Sequence, residues 1–515
     1  MKAFITSTFL FFTSFLSNGQ KYFQRIYGGS EFDAANCIRQ TNDSGYIILG
    51  LTKSFGAGEY DTYLLKTDKY GDTLWSRTYG TPTFERGRSI EQTFDSGYLF
   101  CSEGFNALTG IRLTKTKPNG DTLWTRTFQG RGYFTQTTSD SNIIVAGSFL
   151  YGNWNMHLLK LDNAGDTLWT KSYGTNNQVY CINAKETRDK GFVLVGNVGD
   201  ASGGNNDILI VKTDSNGNVN WSKIYIGSRN DEATSIKQTY DGGYIISGTT
   251  YSNSKGIPDM LLMKIDTNGI VEWSNCFGGK GYSHGEDVLQ TKDGGFLLAG
   301  YTQAFGDEAY LLKTNKSGSM IWSKTFGKDF GTEAFFSMEQ TFDGSIVLAG
   351  ITNNFGSFGG NSDLYVVKCD SIGEGTCYSG NPATVSSPIS FGVKDTLLSV
   401  SALGKYATVS TTLSKGGQTK DICKSLKTFS TYLDSIGISI FPNPALHLCT
   451  LNFNNTNYDV ESVQLINSLG SIVSEYENIK GASLIIEKRE LSSGIYVCKI
   501  IDSKGAFRFI KLVFQ

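Results

Sequence analysis

Residues 33–80 read DAANCIRQTNDSGYIILGLTKSFGAGEYDTYLLKTDKYGDTLWSRTYG, and close copies of this stretch follow along the chain. It contains four short runs of apolar, aromatic and β-branched residues. Three connections separate them, and two of these are turns in which Asp or Asn precedes Gly. Such runs and turns are typical of antiparallel strands joined as hairpins. The stretch therefore predicts one four-stranded sheet whose last strand contains Trp75.

The same frame recurs around eight landmark residues, at intervals of 52, 49, 45, 52, 52, 49 and 55 residues. A period near fifty residues is that of a blade in a β-propeller and is too long for most helical repeats. The seven intervals predict an all-β, seven-bladed propeller over residues 20–377. The landmarks are Phe23, Trp75, Trp124, Trp169, Trp221, Trp273, Trp322 and Cys377.

The last repeat is incomplete. After Cys377 the chain lacks the strand that contains Trp in the other repeats, whereas Phe23–Gly28 resembles that strand and precedes every complete blade. We therefore expect residues 21–28 to form the outermost strand of the last blade and to close the ring. Closure would protect sheet edges that an open array exposes.

An aspartate in the first turn and a lysine at the end of the third strand recur in all seven repeats. Sevenfold repetition favours a structural role. We expect the aspartate to bond its own turn and the lysine to lay its stem along a neighbouring blade. The residues are Asp43, Asp95, Asp140, Asp189, Asp241, Asp293 and Asp343, with Lys66, Lys115, Lys160, Lys212, Lys264, Lys313 and Lys368.

The composition and the N-terminus predict an exported protein. Residues 1–19 contain Lys2, an apolar run and small residues before a cleavage site expected after Gly19, which is typical of a signal peptide. No later segment has about eighteen consecutive apolar residues, so we expect no transmembrane segment after cleavage. The net charge of −2 gives no support for nucleic acid or an anionic membrane as partner.

Nine cysteines are an odd number for an exported chain. Cys377 and Cys423 bracket residues 378–433, a stretch rich in Ser, Thr, Gly and Lys without the fifty-residue period. We predict that this stretch is a linker or bridging β segment, which a disulfide between Cys377 and Cys423 would tie to the ring.

Residues 434–515 contain short alternating strands with Pro and Gly between them, which predicts a small β-sandwich. Pro442-Asn-Pro444 after an apolar strand, a hairpin around Gly470, Leu491-Ser-Ser-Gly-Ile-Tyr496 and a terminal Lys511-Leu-Val513 resemble the C-terminal sorting domain of the Bacteroidetes type IX secretion system. The resemblance implies recognition by that machinery and a secreted or cell-surface location. Members often end in a basic residue, whereas this chain ends in Phe514-Gln515. The repeats also resemble propellers that such bacteria join to this domain.

Four of the seven repeats carry an acidic residue at the start of their first strand, and the other three do not. If that strand is innermost, the carboxylates would surround one mouth of the central channel, where they could bind sugar hydroxyls or a divalent cation. The simpler alternative is that each acid caps its own loop, and no cofactor is predicted. These residues are Asp33, Glu85, Asp231 and Glu333.

The repeat pattern is irregular over residues 105–155. This stretch contains Tyr151 and Trp154, and Trp154 is the one tryptophan outside the repeat position. Exposed aromatic side chains suit sugar stacking or a protein interface. Tyr151 and Trp154 are therefore candidate ligand-binding residues, although imperfect repeats more commonly just repack their core.

The sequence contains only weak matches to known catalytic motifs. Gly281-Tyr-Ser-His-Gly285 matches the nucleophile elbow, but that motif requires a following helix, and a β-strand is predicted here. The three histidines and the cysteines lack zinc-ligand spacing. We therefore interpret the protein as a surface binding or adhesion module for an unknown glycan or protein. The alternatives are a glycosidase or polysaccharide lyase, and a structural protein without a ligand pocket.

Overall fold

The computed structural model describes residues 21–514, and the predicted signal peptide lies outside the described residues. Further residues outside them are 105–109, 152, 200–204, 253–256, 304–305, 328–330, 355–360, 378, 402–411, 415–417, 422–437, 442–446, 454–459, 468–471, 478, 480–482, 489–490, 492–493 and 503–506. The chain divides into two compact units, residues 1–422 and 423–515. All regular structure in the described residues is β-strand.

The first fourteen strands are β1 (Phe23–Gly28), β2 (Asp33–Gln40), β3 (Tyr46–Thr52), β4 (Asp61–Thr67), β5 (Thr73–Gly80), β6 (Glu85–Gln92), β7 (Tyr98–Gly104), β8 (Ile111–Thr116), β9 (Thr122–Phe128), β10 (Arg131–Thr137), β11 (Ile143–Tyr151), β12 (Asn153–Leu161), β13 (Thr167–Gly174) and β14 (Gln178–Glu186). The next fourteen are β15 (Phe192–Gly199), β16 (Asp207–Thr213), β17 (Val219–Ile226), β18 (Asp231–Gln238), β19 (Tyr244–Thr250), β20 (Asp259–Ile265), β21 (Val271–Gly278), β22 (Ser283–Gln290), β23 (Phe296–Thr302), β24 (Glu308–Thr314), β25 (Met320–Phe326), β26 (Glu333–Gln340), β27 (Ile346–Thr352) and β28 (Asp363–Cys369).

The last thirteen are β29 (Ser379–Gly380), β30 (Val385–Pro388), β31 (Gly392–Asp395), β32 (Ser399–Ser401), β33 (Thr412–Ser414), β34 (Gln418–Asp421), β35 (Ile438–Phe441), β36 (Leu448–Phe453), β37 (Val460–Ile466), β38 (Ile472–Glu477), β39 (Ser483–Glu487), β40 (Gly494–Asp502) and β41 (Phe507–Phe514).

Strands β1–β28 form seven antiparallel sheets of four strands each. Sheets one to six are consecutive quartets from β2–β5 to β22–β25, and sheet seven has the order β26-β27-β28-β1. Each sheet packs on the next through a buried apolar cluster. A further cluster, which includes Phe23, Ile48 and Val347, lies between sheets seven and one. The first strands of consecutive sheets also contact one another, including those of sheets seven and one, so they are innermost.

The landmark aromatic residues explain the repeated glycine. The Trp75 ring of sheet one lies against Gly120 in the last turn of sheet two, where a Cβ would come within 2.9 Å of a ring carbon. Gly120 also has a φ of +83°, which L-residues rarely adopt. Close packing between sheets therefore requires both residues, and each pair of consecutive sheets repeats this contact.

The repeated aspartate and lysine form ion pairs within one sheet. In sheet four, the buried Lys212 Nζ lies 2.7 Å from a carboxylate oxygen of Asp189 and donates to the Thr213 carbonyl at 2.8 Å. Gly191 N–H donates to the same carboxylate at 3.2 Å, as expected for a turn aspartate. The charged end of the lysine thus closes the turn of its own sheet. In two sheets the ammonium also lies over an aromatic ring of the next sheet, with Lys160 5.9 Å from the Phe192 ring centre and Lys368 5.7 Å from that of Tyr46.

Strand β1 pairs antiparallel with β28, with Phe23 opposite Lys368 and Tyr27 opposite Leu364. It thus occupies in sheet seven the position that the fourth strand of the repeat holds in the other sheets. The Tyr27 hydroxyl donates to the Gly71 carbonyl of sheet one at 2.7 Å. The N-terminal strand therefore links the last sheet to the first.

Residues 379–421, which we call the belt, add a fifth strand to six of the seven sheets in the part of the segment that the structure describes. In chain order, β29, β30, β31, β32, β33 and β34 pair antiparallel with the outer strands of sheets six, five, four, three, one and seven. The belt thus follows the outer edges of the sheets in the reverse of their order in the chain. Unpaired edges invite aggregation, and the belt covers them.

Cys377, directly before the belt, is disulfide-bonded. The other seven described cysteines are buried free thiols. Cys423, the predicted partner of Cys377, lies outside the described residues.

The second unit contains two sheets. Their strand orders are β35-β36-β39 and β38-β37-β40-β41. Residues from both sheets, including Leu451, Ile486, Leu465 and Leu512, form one buried apolar cluster. This unit therefore has its own hydrophobic core.

His157 lies in β12 at the position that Leu209 and Leu261 hold in two other sheets. Its ring is buried, neither nitrogen has a hydrogen-bond partner among the described residues, and burial lowers its pKa to about 4. Because an unfolded histidine has a pKa near 6.5, the unfolded state binds the proton more tightly, and stability falls as the pH drops from about 6.5 towards 4.

We expect His157→Leu to raise the free energy of unfolding by about 1–3 kcal/mol at pH 7, because a buried unsatisfied polar group is removed. The gain should increase at pH 5. Urea unfolding at both pH values measures it, with Leu209→Ile as a control for repacking at the equivalent position. A gain that does not change with pH would contradict a neutral, buried His157.

Candidate functional site

The two faces of the first unit differ in regularity. In sheets one to six, five residues connect the first strand to the second, and five connect the third to the fourth, as in 41–45 and 68–72. We call this side the turn face. Connections between second and third strands lie on the opposite side, the loop face, and contain from one residue, at 152, to ten, at 353–362. Chemical variety, and hence a candidate ligand site, is concentrated on the loop face.

Every innermost strand contains a β-bulge at the same place. In β2, for example, the register shifts between Ala35 and Cys37, which leaves Asn36 as the extra residue. Bulges redirect side chains, and all seven extra residues line one central cavity. They are Asn36, Arg88, Tyr133, Ile182, Thr234, Glu286 and Phe336.

The central cavity has a volume of about 270 Å³ and is mainly cationic. Its charged lining residues are Arg39, Arg86, Arg88, Lys185, Lys237, Glu286 and Asp287. Lys237 forms an ion pair with Asp287 at 3.0 Å, and Arg88 Nε donates to Glu103 at 2.9 Å. These two cations are therefore neutralised by neighbours.

Lys185 has no ion pair within the described part of the chain. Its ammonium lies 4.2 Å from the centre of the Phe134 ring. Burial, together with repulsion from Arg39 and Lys237, lowers the pKa of Lys185 to about 7. Its charge is thus poorly compensated by the protein groups that line the cavity.

Glu286 is the extra residue of the bulge in β22. Burial raises its pKa to about 7, while the positive charges of Arg86 and Arg88 partly oppose the rise. Neither guanidinium forms a described ion pair with Glu286. The cavity therefore holds one acid and one base that both titrate near neutrality, an arrangement characteristic of functional sites.

Two aromatic clusters lie at the loop-face end of the innermost strands. In the first, the Trp154 and Tyr180 rings are 5.9 Å apart, and the Arg131 guanidinium lies 5.1 Å from the Trp154 ring centre. In the second, His284 and Tyr301 stack at 4.8 Å with an angle of 13°. These side chains are partly exposed rather than buried in a core.

The four predicted acids do not form a cluster. Each is buried at the start of an innermost strand and bonded to a hydroxyl group. The Asp33 carboxylate accepts from Ser54 at 2.7 Å, that of Asp231 from Ser252 at 2.6 Å, and that of Glu333 from Thr352 at 2.9 Å. Glu85 accepts from Thr81 and lies 3.5 Å from Arg112. No hydrogen bond or ion pair between any two of the four exists among the described residues, and this geometry favours the loop-capping alternative.

The structure also tests the other residues and motifs that the sequence suggested. Trp154 lies near the loop-face start of β12, while Tyr151 ends β11 and its side chain lies outside the described set. Ser283 of the Gly-x-Ser-x-Gly match is buried in β22 and pairs with the Thr302 hydroxyl at 2.8 Å, so it lacks the exposed turn of a nucleophile. Groups of three or more His, Cys, Asp or Glu able to hold a metal do not occur in the described residues.

The sequence analysis missed Lys185 and Glu286. For Glu286 a signal was present, because the position five residues before the threonine of the first turn holds a different residue type in every repeat. Variation at one position of an otherwise regular frame marks residues that the fold does not require.

Solved structures resemble the chain only distantly. A protein of unknown function from Bacteroides caccae has 11% identity and a TM-score of 0.34, with 59% of this chain and 93% of that one covered. Puromycin hydrolase has 11% identity and a TM-score of 0.45, with coverage of 68% and 54%, so the chain spans about half of it. The extracellular domain of BT4673 from B. thetaiotaomicron has 10% identity and a TM-score of 0.32, with coverage of 93% and 68%. Likeness at this level says nothing of function.

Residues 439–515 match a protein family directly, whereas no curated protein matches the chain. The described residues contain no helix suited to crossing a bilayer. The matched family is described as "Secretion system C-terminal sorting domain". The chain therefore carries a sorting domain for type IX secretion, and it is a secreted or cell-surface protein with an all-β body of repeated four-stranded sheets.

Proposed function

We propose that this protein is a secreted, closed seven-bladed β-propeller that binds a glycan at the loop-face mouth of its central cavity. Packing of sheet seven on sheet one, through Phe23 and Val347, supports the closed ring. The aromatic clusters that contain Trp154 and Tyr301 are the observation that supports a glycan as the ligand. Sugar rings stack on partly exposed aromatic faces, while their hydroxyls bond to polar groups at the edge.

The polar groups required by a sugar lie beside both clusters. Arg131 accompanies Trp154, and the Asn153 amide donates to the Asn176 carbonyl at 2.8 Å. Near Tyr301, His284 Nδ1 lies 3.1 Å from the Thr249 hydroxyl. Because each group already has a partner, the mouth is held in place before a ligand arrives, which lowers the entropic cost of binding.

The experiment is a glycan array with the secreted full chain and its Trp154→Ala and Tyr301→Ala variants. We expect each variant to lose about 1–3 kcal/mol of binding free energy, or roughly tenfold to a hundredfold in affinity. Phe94→Ala is the matched control, because Phe94 is 84% exposed on the turn face. Equal binding by wild type and both mouth variants would overturn the site, and an array without any bound glycan would favour a structural surface protein.

A catalytic alternative has one observation in its favour, the pKa of Glu286 near 7. A glycosidase needs such an acid together with an ionised carboxylate about 5–9.5 Å away. Glu232 is the acid on the adjacent blade that influences the pKa of Glu286. Reducing-sugar release from the bound glycan, abolished by Glu286→Gln, would replace the binding function with hydrolysis.

A further inference from the structure

We infer that the cavity beneath the mouth selects glycans whose terminal residue bears a negatively charged group, with Arg86 and Lys185 providing the attraction. This inference rests on the proposed function and names the ligand class of the same site. It follows from the charges that line the cavity, which are mostly positive and only partly paired.

The pairing of the cations identifies which ones remain available. Arg88 and Lys237 each contact a carboxylate, as described above. Arg39 donates to the Ile38 carbonyl and lies near Glu339 and Glu91. Arg86 donates to Asn36, a neutral side chain, at 2.9 Å, and Lys185 faces the Phe134 ring. Two cations therefore face the cavity without a carboxylate in contact.

Desolvation of these cations is the physical reason for selectivity. Burial lowers the pKa of Arg86 and of Lys185, which means that the protein surroundings disfavour the charged form of each. A carboxylate or sulfate that enters the cavity would supply counter-charge to these cations in a medium that screens it weakly. A neutral sugar offers no such gain.

The size of the cavity sets the size of the group it accepts. A volume of about 270 Å³ lies just below the range of about 300–1,000 Å³ that is typical of small-molecule pockets. One sugar residue therefore fits, whereas a longer chain must extend outward past Trp154 and Tyr301. Acid recognition thus occurs in the cavity and chain recognition at the mouth.

Two groups make the selection dependent on pH. Lys185 is charged below pH 7 and faces Arg39, Lys237, Asp287 and Glu91. Glu286 is neutral below pH 7 and faces Arg86, Arg88, Asp287 and Glu232. Because Lys185 loses a positive charge and Glu286 gains a negative one as the pH rises from 6 to 8, the net charge of the cavity falls by about two.

The test compares acidic glycans with their carboxyl-reduced counterparts on one array, followed by calorimetry of the best pair at pH 6 and pH 8. We expect the acidic form to bind at least about tenfold more tightly, and its affinity to fall about tenfold from pH 6 to pH 8. Lys185→Met should remove most of the preference by weakening binding of the acidic form. Lys292→Met, which removes an exposed lysine of the turn face, is the matched control.

The outcomes separate the two proposals. Equal affinity for acidic and reduced forms, with binding still lost in Trp154→Ala, would overturn charge selection and leave the glycan site intact. Unchanged preference in Lys185→Met, with an unaltered melting temperature, would also overturn it. Absence of any glycan binding would overturn both. Glu286→Gln gives an independent check, because it should weaken the pH dependence without removing a cation.

Discussion

Deletion of residues 439–515 should abolish the appearance of the protein outside the cell. In a bacterium with a type IX secretion system, the full chain should reach the medium or the cell surface, whereas the truncated chain should remain in the periplasm. The reason is that these residues match the sorting domain of the secretion system and contain a core of their own. Immunoblots of medium, surface and periplasmic fractions measure the effect.

Two controls make this result specific. Trp154→Ala leaves the sorting domain untouched and should be exported normally. Leu465→Asp places a charge in the core of the second unit, where Leu465 is fully buried, and should reproduce the deletion. Truncated protein found outside intact cells would contradict the prediction, since it would mean that residues 1–438 carry sufficient export information.

Much of the fold was predictable because residues that every sheet requires for packing or turn formation recur at equivalent positions of the repeat. Trp75 and Gly120 recur since each sheet must pack closely on the next, and Asp189 and Lys212 recur since each turn must be closed. The pairing partner of the lysine was not predictable from sequence. Spacing places the lysine at the end of a strand but does not specify whether its side chain turns towards its own sheet or the next.

The sequence predicts a linker or bridging β segment here but not the individual belt strands, because these are too short to show strand periodicity. Strands such as Val385–Pro388 and Gly392–Asp395 are exposed along their whole length, so no alternation of apolar and polar residues identifies them. They form only because an outer sheet edge is present as a template. Their recurrence about every seven residues, near 385, 392 and 399, was the available signal.

The candidate site was predicted only in part. Trp154 was identified because it departs from the frame, whereas Asp33 and Asp231 were selected for their charge and proved to be bonded to Ser54 and Ser252. Carboxylates at strand starts are chemically indistinguishable in sequence from carboxylates in a binding site. Glu286 required the bulge, a feature of pairing register that a single strand sequence does not contain.

Cys377→Ser should release the belt and lower the free energy of unfolding by about 2–4 kcal/mol, the usual effect of losing a disulfide. The belt strands contribute few buried apolar side chains, with the exception of Ile389, Phe391 and Leu398, which pack partly against the clusters between sheets. Their attachment therefore depends on edge hydrogen bonds and on the restraint at Cys377. If Cys423 is the partner, as the sequence predicts, the bridge closes a loop that contains the whole belt.

Hydrogen exchange gives the local measurement of belt release. Amides in residues 385–395 should exchange faster in Cys377→Ser than in wild type, while amides in β3 and β4 should not change, because those strands are buried within sheet one. Dithiothreitol should produce the same acceleration in the wild type and none in the variant, which separates loss of the bridge from loss of the cysteine side chain. Peptide mapping without reduction identifies the partner of Cys377. Equal exchange of the belt in all samples would mean that edge pairing alone holds it, and the disulfide would then have no role in its attachment.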